Sequence, residues 1–157
     1  MGPDDHEFTP ALDAARKRRM DLHEALVELE QAISAPAPGR IPDWADTVGG
    51  KLANLRDAFG EHILGTEEQF GLYEEILNLA PHLAPKVAVL REEHPTIAAA
   101  IAERIDIVTD PEALPVDESV DDIRDEIQRL LGRIIRHRQH GADLVWEAYN
   151  LDIGGMG

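Results

Sequence analysis

Cysteine is absent from this 157-residue chain. That excludes disulfides, thiolate-held zinc and thiol chemistry. Any metal must then be held by imidazole and carboxylate, a donor set that suits iron, manganese, zinc or copper. Long apolar runs are absent too. No segment approaches the ~18 apolar residues of a membrane span, and the N-terminus has no apolar signal core, so a soluble, cytoplasmic protein is expected. Positive charge is scarce, with 15 Lys and Arg against 31 Asp and Glu and a formal net charge of −16. A surface of that sign repels phosphates, which argues against nucleic acid and against anionic membranes as partners. The basic run Arg16-Lys17-Arg18-Arg19 is expected on the solvated side of a helix. Strand patterning, repeats at solenoid spacing, a phosphate loop, a Ser–His–acid arrangement and a redox dithiol are all missing.

What the chain does have is helical periodicity. Thr9-Pro10 reads as an N-cap followed by proline at the first helical position. The first helix then runs from about Pro10 to Ser34, with Leu12, Ala15, Leu22, Leu26, Leu29 and Ile33 on one face. Ala35-Pro36-Ala37-Pro38-Gly39 ends it. A second helix starts near Asp43 and carries Val48, Leu52, Leu55, Phe59, His62 and Thr66 in phase. After Gly65 the pattern breaks, and a short helical piece follows around Leu72 to Leu79. The third long helix covers about Pro81 to Val108, and its apolar phase continues through Pro95, which predicts one kinked helix. A fourth is capped by Ser119 and runs to about Tyr149, burying Ile123, Ile127, Leu130, Ile134, His137, Gly141 and Val145. The expected fold is all-α: an antiparallel up-down-up-down four-helix bundle over residues 9–150, with a short extra helix between helices two and three. Flexible termini are expected at 1–8 and 151–157.

Each long helix carries one histidine at or near its apolar face: His23, His62, His94 and His137. A lone core histidine is more often a satisfied structural residue. Four on four facing helices favour a metal site, provided they share a level along the bundle. His62, His94 and His137 fall inside their stripes, and His23 lies on the shoulder of its own. Counted from their helix ends, His94 and His137 agree in height to roughly 6 Å. His23 and His62 match less well, about 11 and about 19 residues from their shared loop, unless the second helix projects beyond the first.

With His23 in MDLHEALVELE, His62 in FGEHILGTEEQF, His94 in LREEHPTI and His137 in IIRHRQHGADLVWEAY, residues 12 to 149 resemble the hemerythrin-like (HHE cation-binding) domains. The resemblance implies a histidine from each helix, and a carboxylate one turn beyond those of helices two and four. Together these would hold a non-haem di-iron centre that binds oxygen, senses it, or turns over peroxide or nitric oxide. This chain departs from the pattern at Thr66 and Gly141, which stand where the carboxylates belong. Glu67 follows Thr66, and a helix end or bulge at Gly65 would swing it inward. The ligand set implied is therefore His23, His62, Glu67, His94 and His137. The cofactor implied is iron, as a di-iron centre, with a single metal or another divalent ion as alternatives. The implied partner is oxygen, peroxide or nitric oxide, and neither the choice among carrier, sensor and enzyme nor the oligomeric state is legible.

Several other residues carry expectations. Asp143 and Glu147 lie on a flanking face and are expected to pair with Arg136 or His140. Gly141, costly on a core face, is expected to serve close helix packing or to leave room beside a metal. Tyr73, Trp146 and Tyr149 read as packing residues, with a tyrosine near the metal as a possible ligand or radical quencher. Two functions of other classes stand beside the first. One is a four-helix interaction or structural module in which the inward histidines are hydrogen-bonded core residues. The other is a metal store.

Overall fold

The computed structural model describes residues 9–151; the termini expected to be flexible lie outside these residues, Leu151 excepted. The elements in order are α1 (Pro10–Ser34), α2 (Ile41–Glu67), the short α3 (Leu72–Leu79), α4 (Ala84–Thr109) and α5 (Asp117–Trp146). A 3₁₀ turn, Pro81–Leu83, leads into α4, and a π-helical turn, Glu147–Leu151, closes α5. No strand occurs among the described residues, and no helix there is long and apolar enough to cross a membrane.

Local chemistry accounts for the helix ends. Thr9 Oγ1 accepts from the Leu12 N–H at 3.1 Å and caps α1. The start of α5 differs from expectation: the helix begins at Asp117, and Ser119 acts from its third position, where its Oγ accepts from the Val116 N–H at 3.0 Å. A hydroxyl can satisfy an open N–H from either side of the boundary, so a serine near a helix start does not fix which residue is the cap. Helix α4 continues through Pro95 as a single helix.

The four long helices pack together, α1 on α2, α2 on α4, α4 on α5 and α5 back on α1. Leu22, Leu29, Leu52, Leu55, Ile101 and Ile127 have no accessible surface, and burying each is worth roughly 1.5–3 kcal/mol. Arg124 on α5 donates to the Ile33 and Ala35 carbonyls, each at 2.7 Å, and so satisfies acceptors left open at the end of α1. Two apolar clusters result. The larger joins α1, α2, α4 and α5 and includes Phe59; the smaller gathers Tyr73 and Ile76 of α3 with Leu90 and Leu144. Histidines stand at the boundary between the two, against Phe59 on one side and Tyr73 on the other.

Candidate metal centre

Three of the four histidines meet. His62 of α2, His94 of α4 and His137 of α5 each offer a ring nitrogen, and these three atoms lie within 4.8 Å of one another. Their ring centroids are 5.0–5.3 Å apart. His94 and His137 are buried, at 1% and 2% exposure, and His62 is partly so. Phe59 forms an apolar wall, stacking on His62 at 5.5 Å and presenting an edge contact to each of the other two at 5.8 Å.

The hydrogen bonds around the rings assign their protons. His137 Nδ1 lies 2.7 Å from Glu93 Oε1, and His94 Nδ1 lies 2.5 Å from Glu67 Oε2. A carboxylate only accepts, so both Nδ1 atoms carry a proton, and in the neutral ring this leaves the lone pair on Nε2. His94 Nε2 then accepts from the Tyr73 hydroxyl at 3.2 Å, and His137 Nε2 accepts from His62 Nε2–H, also at 3.2 Å. Burial pushes the Tyr73 phenol up, which keeps it a donor at neutral pH.

His23 does not join them. Leu22, one residue earlier, takes the inward position with no exposed surface, and the ~100° step to the next residue turns His23 to solvent. There its Nδ1 faces the Arg138 guanidinium at 3.1 Å. Glu67 is brought to the site, as the last residue of α2, but its contact is with the remote nitrogen of His94, and Arg91 holds its other oxygen at 3.6 Å. Thr66 is buried and its hydroxyl donates back to the His62 and Ile63 carbonyls, at 2.9 and 3.1 Å. Asp143 accepts from Gln139 and Glu147 pairs with Lys86, rather than with Arg136 or His140.

Two residues of the site escaped the sequence reading. Glu93 precedes His94 and lies off the apolar stripe, yet its carboxylate crosses to α5 and holds His137. Arg18, expected on the solvated side, turns inward over Gly65, where a Cβ would collide with its guanidinium. Gly65 was the available signal, because a missing side chain at a helix surface leaves room for a neighbour's.

Beside the rings lies a cavity of about 120 Å³, bordered by His62, His137, Thr66, Tyr73 and both Gly65 and Gly141. A Cβ on Gly141 would meet nothing within 4 Å. Its role is thus open space, not close helix packing. Gly141→Ala should fold normally and raise stability by about 1 kcal/mol, the helix-propensity difference, read as a higher urea midpoint with unchanged slope.

His62 is pushed down to about 3 from 6.5, first by burial, then by His94, His137 and the Arg18 guanidinium. His94 is lowered as well, because burial outweighs its bond to Glu67. Both imidazoles are neutral at pH 7, the state that ligation needs. The same shift predicts an acid-labile fold. Below about 6.5 the unfolded chain protonates at His62, whereas the folded chain does so only near 3. The stabilising effect is therefore complete above 6.5 and is lost as pH falls toward 3. For a partly exposed ring the loss is on the order of 2–3 kcal/mol. Urea melts of metal-free protein between pH 7 and pH 4 should show it, and His62→Phe should flatten the dependence.

Compared with known proteins, the chain matches no family model, no curated protein and no solved structure.

Proposed function

We propose that His62, His94 and His137 hold one non-haem metal ion, and that the protein is a hemerythrin-like, up-down-up-down bundle that binds or turns over a small ligand such as oxygen, peroxide or nitric oxide. The observation that carries the reading is the spacing and back-bonding of the rings. Imidazole nitrogens bound at about 2.0–2.1 Å to one tetrahedral ion stand roughly 3.3–3.4 Å apart. The Nε2 atoms of His62 and His137 are 3.2 Å apart. Behind them, Glu93 and Glu67 occupy the remote nitrogens of His137 and His94, the arrangement that fixes ring orientation and raises ligand basicity at metal centres. When bound, the ion supplies a Lewis-acidic position for a small ligand. The chain's own part is to hold the His62 and His94 rings neutral, to wall the rings with Phe59 and Tyr73, and to leave the cavity beside Gly141 for the ligand. To hold an ion, His62 would have to carry its proton on Nδ1, and His94 Nε2 would have to give up its bond from the Tyr73 hydroxyl.

Iron is the metal the family resemblance implies. With Thr66 and Gly141 in place of carboxylates, a single ion accounts for the donors better than a bridged pair does. The antiparallel order is supported by contacts pairing late residues of one helix with early residues of the next, Glu28 with Lys51, Glu67 with Arg91 and Arg104 with Glu126, and between α1 and α5 by Ile33 with Arg124 and His23 with Arg138.

A second reading, an interaction module without metal, draws on the fact that both ring nitrogens of His94 and of His137 already have protein partners. Elemental analysis of freshly purified, chelator-washed protein before and after iron loading, with a near-ultraviolet and visible spectrum, separates the two. About one ion per chain supports the proposal; about two, with an oxo-to-iron charge-transfer band, restores the di-iron centre. Folded, colourless protein that takes up no iron leaves the interaction module.

A further inference from the structure

In a chain with 31 acidic and 15 basic residues, the cavity beside the histidines is bordered by Arg16, Arg18, Arg19 and Arg138 and, among the described residues, by no carboxylate. Among the described residues no carboxylate makes an ion pair with Arg18, Arg19 or Arg138. Asp21 and Glu24 border only a neighbouring outer groove, which shares Arg16, Arg19 and Arg138 but not Arg18. Arg18 is the inward member, lying over Gly65 within the electrostatic reach of His62. Guanidiniums gathered at a low-dielectric wall repel one another, and a bound anion relieves that cost.

His62, His137, Thr66 and Tyr73 supply the other polar groups of the wall, and an apolar part of it is displaced along the bundle from the arginines. On α1, Leu12 lies seven residues before Arg19; on α5, Val145 lies seven after Arg138. His23 faces Arg138 and Ile33 faces Arg124, so the two helices run in opposite senses. Leu12 and Val145 therefore share one end, ~10 Å along the bundle from Arg19 and Arg138. Leu72 and Ile76 of α3 complete that end. The volume, about 120 Å³, is close to the ~150 Å³ of an apolar cavity that holds benzene.

From this charged-and-apolar division we infer that the cavity binds a small organic monocarboxylate, its carboxylate on Arg18 and Arg138 and an apolar body of about five carbons toward Leu12, Ile76 and Val145. A planar guanidinium meets a carboxylate with two parallel hydrogen bonds, and the apolar end adds burial. The site is a property of the protein with or without a metal.

Calorimetric titration of chelator-washed protein tests it, with hexanoate as the probe and hexanol and inorganic phosphate as controls. Hexanoate should bind at least tenfold more tightly than either control. Arg18→Met keeps the side chain's stem and should weaken hexanoate at least tenfold while leaving hexanol unchanged. Gly141→Leu, which projects into the open space, should abolish hexanoate binding in a protein whose circular dichroism is unchanged. If Arg18→Met fails to fold, Arg138→Met carries the same expectation. Equal affinity for hexanoate and hexanol, or undiminished hexanoate binding in the arginine variant or in Gly141→Leu, overturns the inference. Phosphate binding as tightly as hexanoate also overturns it, since the site would then read charge alone. Metal content measured on the same preparations keeps the two questions apart: protein that loads metal but ignores hexanoate defeats this inference and leaves the metal reading standing.

Discussion

Replacing His94 with alanine is expected to lower metal affinity by at least about a hundredfold, because loss of an outer-shell partner alone costs 10–100-fold and here a ligand itself is removed. His94 is the most enclosed of the three rings, at 1% exposure. Glu67 contacts only its remote nitrogen, and Tyr73, with its phenol pushed up, remains a neutral donor. The truncation also opens space in the core, so stability should fall by roughly 2–3 kcal/mol. His94→Gln, which retains most of the volume, separates the two effects: affinity should fall as far, stability less. His23→Ala is the contrast. That ring is solvent-facing and bonded to Arg138, so affinity should stay within about twofold. Competition against a chromophoric chelator reads all three variants.

Glu93→Ala carries the second large effect. The carboxylate accepts from His137 Nδ1–H at 2.7 Å and thereby holds the Nε2 lone pair toward the cluster. Without it the ring loses both its fixed tautomer and the basicity a negative partner confers. Metal affinity should fall about 10–100-fold, with little change in the unloaded fold because Glu93 is more than a third exposed. Glu93→Gln keeps an acceptor but no charge and should fall between wild type and alanine. Glu67→Ala should act in the same way through His94, on a different ring. Combined with Glu93→Ala, its effect should therefore be close to additive.

The helices were legible because apolar residues recur at helical spacing, and the same spacing identified His62, His94 and His137 as inward. The height mismatch was expected between His23 and His62, a pair that does not meet; α2 extends to Glu67, and its last turns stand beside Arg18 of α1. His23 shows the limit of such a reading. A shoulder position can turn either way, and the larger apolar gain of burying Leu22 decided it. Glu93 was illegible for a different reason. Its role depends on the gap between α4 and α5, which a long carboxylate can span and which periodicity within one helix does not report. Arg18 combines both limits, since its inward turn needs a glycine on another helix.

The most direct test of the three-imidazole centre is X-ray absorption at the metal edge of protein loaded with one equivalent of zinc. The account predicts a shell at about 2.0–2.1 Å with the outer-ring scattering of three imidazoles, falling to two in His94→Gln. A first shell without imidazole scattering, or one unchanged in His94→Gln, would contradict it.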